Sequence, residues 1–106
     1  MVKYEAHIQG DFDELLNKLH EELVYWLTAK SEYHSGNFRC AMRLYEDQSM
    51  LRGDSVHLSI MLVENENELF VSVISSAGDV WWQKKRLEKT VKIIEEYKNA
   101  YASSNP

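Results

Sequence analysis

The chain has 106 residues and a formal net charge of −5, with 44% apolar residues, one proline and one cysteine. A lone cysteine excludes an internal disulfide framework and favours a reducing compartment, and no apolar run approaches the roughly 20 residues of a membrane-spanning helix. A chain of this length buries about two-thirds of its unfolded surface, enough for one core but not for two domains. We therefore expect a small cytoplasmic protein with a single domain at residues 1–101 and a disordered tail at 102–106.

The first third of the chain predicts a strand followed by a long helix. Residues 2–8 alternate apolar with polar side chains, the period of a half-buried strand. Asp11 can cap a helix, with Glu14 reaching back to it. An apolar stripe with spacings of three and four then covers residues 12–29, made of Phe12, Leu15, Leu16, Leu19, Leu23, Trp26 and Leu27. Residues 30–37 are rich in Ser, Gly and Asn and are interpreted as a loop.

The middle of the chain predicts three further strands. Apolar and polar side chains alternate over residues 38–45, 56–63 and 69–74, with polar turns between the runs. Consecutive strands joined by short loops favour an antiparallel meander. The face covered by helices is then expected to carry Tyr4, Ala6, Ile8, Phe38, Cys40, Met42, Leu44, Val56, Leu58, Ile60, Leu62, Val71 and Val73.

The end of the chain predicts a second helix that begins near residues 84–87. Extending this helix backwards would turn Trp81 and Trp82 away from its apolar stripe by roughly 100° or more. Val80–Gln83 is therefore interpreted as a short extended segment, a candidate fifth strand. The predicted fold is an α+β two-layer sandwich: a mainly antiparallel sheet of four to five strands with two helices on one face, in the order β-α-β-β-β-(β)-α.

Three stretches carry a resemblance to a known family: GDFDELL at residues 10–16, FRCAMRLYE at 38–46 and LFVSVISSAG at 69–78. They resemble a small, mainly Gram-positive bacterial family of unknown function, DUF6054, whose members are about this length. The resemblance covers roughly residues 5–78 and implies a short strand at Val80–Gln83. It supplies no catalytic residue, because none is established for the family.

The sheet face opposite the helices is the candidate functional surface. It is expected to mix basic with apolar side chains, and the residues singled out are Arg39, Arg43, Tyr45, His57, Met61, Phe70 and Ile74. Monomers rarely leave large apolar patches bare, and Met, aromatic residues and Arg are enriched in interfaces. Three interpretations stay open. A loop or the Trp81–Trp82 segment covers the face, a second copy or a protein partner does, or Arg39, Arg43 and His57 hold a small anionic ligand.

Other chemistries find little support in the sequence. The run 84–86 puts three cations beside two tryptophans, a pattern of single-stranded nucleic-acid binding, but interleaved glutamates and the negative net charge disfavour it. The histidines lack metal-ligand spacing, and Cys40 is interpreted as a small core residue. We expect no cofactor, metal or catalytic residue. The leading hypothesis is a non-enzymatic module that self-associates or binds a partner through the free sheet face, with a small anionic ligand as the alternative.

Overall fold

The computed structural model describes residues 1–47 and 55–104. Within these residues it contains seven elements: β1 Val2–Ile8, α1 Phe12–Leu23, β2 Trp26–Ser35, β3 Phe38–Asp47, β4 Val56–Asn65, β5 Glu68–Ser76 and α2 Val80–Ser104. The α+β class and the order of helices and strands confirm the fold predicted from the sequence. No helix in the described ranges combines the length and apolar character needed to cross a membrane.

The strands of the described chain form one antiparallel sheet in the order β1-β5-β4-β3-β2. Two-residue turns join β2 to β3 at Gly36-Asn37 and β4 to β5 at Glu66-Asn67. Gly36 and Glu66 have φ values of +58° and +59°, the left-handed conformation that such tight reversals need. Strands β2 to β5 lie side by side in chain order as a meander. Strand β1, although first in the chain, lies at the edge beside β5.

Both helices pack on one face of this sheet. The buried stripe of α1 and the middle of α2 share a core with the strands, and its helical members are Phe12, Leu15, Leu16, Leu19, Leu23, Ile93, Ile94 and Tyr97. The Tyr97 hydroxyl accepts a hydrogen bond from the Asp11 amide at 2.7 Å and donates to Glu14 at 3.0 Å. Glycine is required at position 10 because a Cβ there would lie 2.6 Å from the Tyr97 ring.

The strand missing from the sequence interpretation is β2. Helix α1 ends at Leu23, because Val24 takes the left-handed conformation at φ +48°, and the predicted end at residue 29 is wrong. Residues 26–35, assigned to the last helical turns and to a loop, instead form a ten-residue strand paired with β3. The signal that could have found it is Gly36-Asn37, since Gly-Asn between two extended runs is typical of a hairpin turn.

Helix α2 begins earlier than expected. Val80–Gln83 is its first turn, so the interpretation of this segment as a strand, and of 84–87 as the helix start, is wrong. The Asp79 carboxylate caps the turn by accepting a hydrogen bond from the Trp81 amide at 2.8 Å. The helix continues through Ser104, three residues into the segment 102–106 that the sequence analysis assigns to a tail.

The two tryptophans tolerate this helical placement because cations cover them. Trp81 is 54% exposed and meets Trp82 edge to face, with 4.6 Å between ring centroids. The Lys85 ammonium lies 5.3 Å from the Trp81 centroid, and the Arg86 guanidinium lies 5.2 Å from that of Trp82. Such contacts each contribute about 0.5–1 kcal/mol at exposed sites, which offsets part of the cost of leaving the indoles in water.

Candidate interaction surface

The sheet face that points away from both helices, here called the open face, is strongly apolar. Cross-strand partners share a face, and the register sets Met42 opposite Met61 and Cys40 opposite Val63. The apolar residues of this face are Trp26, Ala29, Tyr33, Phe38, Cys40, Met42, Leu44, Met61, Val63, Phe70 and Ile74. Tyr33, Met42 and Leu44 are 61%, 47% and 41% exposed within the described chain.

The predicted phase of β3 is wrong. Ala41 and Tyr45 are buried beneath the helices, and Tyr45 lies opposite the core residue Leu58. Met42 and Leu44, which were assigned to the core, face outward.

This correction changes which residues make up the candidate surface. Three of the residues singled out from the sequence lie on the helix side, namely Arg39, Arg43 and Tyr45. Four expected core residues lie on the open face, namely Phe38, Cys40, Met42 and Leu44. The physical reason is that alternation shows which side chains share a face but not which face the helices cover.

Arg39, on the helix side of β3, is held by two carboxylates and the ring of Phe12. Its guanidinium donates two hydrogen bonds of 3.0 Å to the Asp13 carboxylate and one of 2.9 Å to Glu32. It also lies 4.1 Å from the centroid of the Phe12 ring. Hydrogen bonding to Arg39 lowers the pKa of the Asp13 carboxyl, and the two carboxylates raise the pKa of Arg39. Arg39 therefore joins α1 to β2 and β3.

The predicted anion-binding set is not brought together. Arg43 lies on the helix side, where it lines a cavity of about 190 Å³ with Lys30, while His57 lies on the open face at 3.8 Å from the Glu46 carboxylate. The Tyr45 hydroxyl is hydrogen-bonded to His20 Nδ1 at 3.0 Å. Arg39, Arg43 and His57 thus occupy opposite faces of the sheet and share no common site.

Strands β4 and β5 have the phase that the sequence indicated. Met61, Phe70, Ile74 and His57 all lie on the open face, because their neighbours in each strand are core residues. The residues that sequence reasoning missed come from β2 and β3. Tyr33 was assigned to a loop and Trp26 to the first helix, so neither was placed on the sheet. The Gly36-Asn37 turn after β2 is the sequence signal that indicates a strand there.

Charged groups on the open face lie at its rim. Lys3 and Glu5 are on the border strand β1, where their side chains approach to 3.7 Å, and His7 contacts Glu68 at 2.9 Å. The centre of the face, across β3, β4 and β5, carries apolar and hydroxyl side chains. An apolar centre within a polar rim is the composition of protein–protein interfaces.

Within the described residues, no three His, Cys, Asp or Glu side chains are grouped so that they could hold a metal ion. Cys40 is partly exposed on the open face, so its assignment to the core is also wrong.

A family model for a family of unknown function, DUF6054, matches residues 1–98, which extends past the resembling stretch 5–78 into α2. No curated protein matches the chain.

Proposed function

Since DUF6054, the family to which the chain belongs, has no known function, we propose one from the open face: the protein is a non-enzymatic interaction module that pairs with a second copy through this face. One observation carries this proposal: a row of apolar side chains crosses β2 to β5 at Tyr33, Cys40, Val63 and Phe70, and exposed Met42 and Leu44 lie beside it. Soluble monomers rarely expose contiguous apolar patches of this extent.

The size of the open face suits a stable homodimer. The four strands β2 to β5, spaced about 4.8 Å apart, give a width of about 19 Å, and a ten-residue strand is about 33 Å long. The product is about 630 Å² per copy, or roughly 1,260 Å² over two copies, which lies within the range of specific protein–protein interfaces. The face is therefore large enough for specific pairing without help from the helices.

A two-fold axis through the middle of the open face would put Met61 at the centre of the proposed contact. Strand β4 is the middle strand of the sheet, and Met61 lies between Met42 on β3 and Ser72 on β5. A two-fold axis near Met61 would pack two sheets about 10 Å apart with the helices outside. Methionine suits this position because its flexible, polarizable side chain adapts to a facing copy.

The central test is a charge placed in the middle of the open face. Sedimentation of the wild-type chain at micromolar concentration should show a dimer, and Met42→Glu should dissociate it, because the carboxylate would be buried without a partner. Val24→Glu is the matched control, since Val24 is 77% exposed and lies outside the face. A wild-type monomer, or a Met42→Glu protein that still dimerises, would contradict the proposal.

A small anionic ligand is the second candidate, and one observation favours it. Lys30 and Arg43 lie directly opposite each other across β2 and β3 and line one cavity, whose carboxylate, Glu32, is engaged with Arg39 at 2.9 Å. Like charges in this arrangement destabilise a sheet, and a bound anion would relieve them. Phosphate or citrate should then raise the melting temperature of the wild type but not of Arg43→Ala; equal responses would contradict it.

A further inference from the structure

Strand β2 forms a long border of the sheet with an unpaired outer edge. Within residues 1–47 and 55–104, β2 is the last strand in the sheet order and pairs with β3 on one side only. It is ten residues long and exposed along nearly its whole length. Its outer edge therefore presents backbone N–H and C=O groups to another extended segment.

The hairpin between β2 and β3 determines which backbone groups point outward. Ser35 and Phe38 are partners on either side of the two-residue turn, and such a closing pair directs its backbone groups inward. Because the direction alternates along a strand, Ser31 also points toward β3, whereas Glu32 and Lys30 direct their N–H and C=O groups outward. The edge is regular over residues 29–35, beyond the register shift.

Symmetry restricts how two copies of this edge can pair antiparallel. A two-fold axis perpendicular to the sheet keeps every side chain on its own face, so one residue of β2 must face itself across the axis. At Lys30 or at Glu32 the axis would set like charges directly opposite each other, which destabilises a sheet. At Ser31 two small hydroxyl side chains meet instead.

The register centred on Ser31 is complementary in charge. It sets Lys30 opposite Glu32 of the second copy, and the axis produces this pair twice. Within its own chain Lys30 lies opposite a like charge, Arg43, and Glu32 accepts a hydrogen bond from Arg39 at 2.9 Å through Oε1. A carboxylate has two acceptor oxygens, so Glu32 can bind Arg39 and the facing Lys30 together.

The same register also extends the open face across the junction. It sets Tyr33, which is 61% exposed, opposite Ala29 of the second copy, and both residues belong to the open face. An axis at Tyr33 would instead leave Lys30 opposite Gly36 in the turn and its repulsion with Arg43 unrelieved. The axis at Ser31 is therefore the one that satisfies both faces.

The border at β1 is less suited to a second copy. Lys3 and Glu5 on that strand approach each other to 3.7 Å within the chain, so their charges are already matched. Helix α2 packs against β1, and a copy paired there would have to fit its own α2 beside the first. Strand β2, which is exposed on both faces, imposes no such demand.

We propose that β2 pairs with β2 of a second copy about an axis at Ser31, which joins two five-stranded sheets into one of ten strands. This contact is separate from the open face, and each can fail without the other. Residues 29–33 alone form its regular part, so it is smaller than an interface of standard size and forms at higher concentration than pairing through the open face. It links pairs made through the open face into larger assemblies.

The test uses Phe70→Glu as the parent chain, because this variant charges the open face three strands away from β2 and prevents pairing there. Diffusion measured by NMR should show a parent that is monomeric at about 10 μM and largely dimeric at about 1 mM, as expected for a small contact. A parent that stays monomeric across this range would overturn the proposal.

Charge reversal tests the register. Lys30→Glu in the parent should weaken association at least tenfold, because it sets two carboxylates opposite each other in both pairs, and Glu32→Lys should do the same with two ammonium groups. An equimolar mixture of these variants should associate as the parent does, since every cation then faces a carboxylate. Lys3→Glu, on the other border, is the matched control and should leave association unchanged. An unaffected Lys30→Glu variant, or a mixture no tighter than its components, would contradict the register.

A cross-link provides a second measurement if Glu32→Lys fails to fold. In the parent with Cys40→Ser, Ser31→Cys places the single thiol at the axis, where facing Cβ atoms lie about 4.5–5.5 Å apart. Oxidised glutathione should convert this chain into a disulfide-linked dimer. Ser35→Cys is the control, because its two copies would lie about 26 Å apart along the strand. Equal cross-linking of the two cysteine variants would rule out an axis at Ser31.

Discussion

Two tyrosine hydroxyls connect α2 to the rest of the fold. The Tyr4 hydroxyl donates to Glu95 on α2, and the Tyr97 hydroxyl, itself on α2, donates to Glu14 on α1. Burial, and to a smaller extent the carboxylate partner, raises the pKa of each hydroxyl from the ordinary value of 10.0 to about 12, while the hydrogen bond with the Asp11 backbone partly opposes the rise at Tyr97. Each phenol therefore holds its proton more tightly in the folded chain than in the unfolded chain.

These pKa values predict a loss of stability at alkaline pH. Between pH 10 and about 12 the unfolded chain releases the protons of Tyr4 and Tyr97 while the folded chain retains them, so the free energy of unfolding falls as pH rises. Denaturant unfolding across this range measures the slope, and tyrosinate absorbance should show three of the six tyrosines ionising late, because burial raises the pKa of Tyr25 as well. Tyr4→Phe should reduce the slope, whereas the exposed-residue control Tyr33→Phe should not. Six tyrosines that ionise together near pH 10 would contradict the prediction.

At the scale of elements, the end of α1 decides how long β2 is. If the helix continued to residue 29, as its apolar stripe suggests, β2 would lose its first residues and Trp26 would be on a helix. Instead Val24 stops the helix in the left-handed conformation at φ +48°. That conformation is costly for a β-branched residue, so the tertiary structure holds it there rather than local preference.

The strain at Val24 predicts a stabilising substitution. Asparagine tolerates the left-handed conformation far better than valine, and Val24 is 77% exposed, so little packing is lost. Val24→Asn should raise the free energy of unfolding by about 1 kcal/mol, measured by urea denaturation. Val24→Ala lacks the short polar side chain that hydrogen-bonds locally in the left-handed conformation and should gain clearly less. A destabilised Val24→Asn protein would show that the valine side chain contributes packing.

At the scale of the whole molecule, the open face differs in charge from the rest of the chain. Its centre carries apolar and hydroxyl side chains. Every copy carries a formal net charge of −5. Two copies therefore repel each other at a distance, although their proposed contact is uncharged.

This charge distribution predicts that salt strengthens self-association. Raising ionic strength from about 0.05 M to about 0.5 M shortens the screening length from more than 10 Å to less than 8 Å, which weakens the repulsion between copies. The dimer dissociation constant from sedimentation should fall. An interface built on arginine–carboxylate pairs would respond in the opposite direction, and weaker association at high salt would contradict an apolar contact.

Much of this protein was determined by sequence alone. The α+β class, the elements β1, α1, β3, β4, β5 and α2, and the open-face positions of Met61, Phe70 and Ile74 follow from local periods of two and about 3.6 residues. Only the tertiary structure decided the end of α1, and with it the start of β2, and the outward orientation of Met42. Both phases of β3 satisfy the same alternation, and the choice between them depends on its register with β4 and on which face the helices cover.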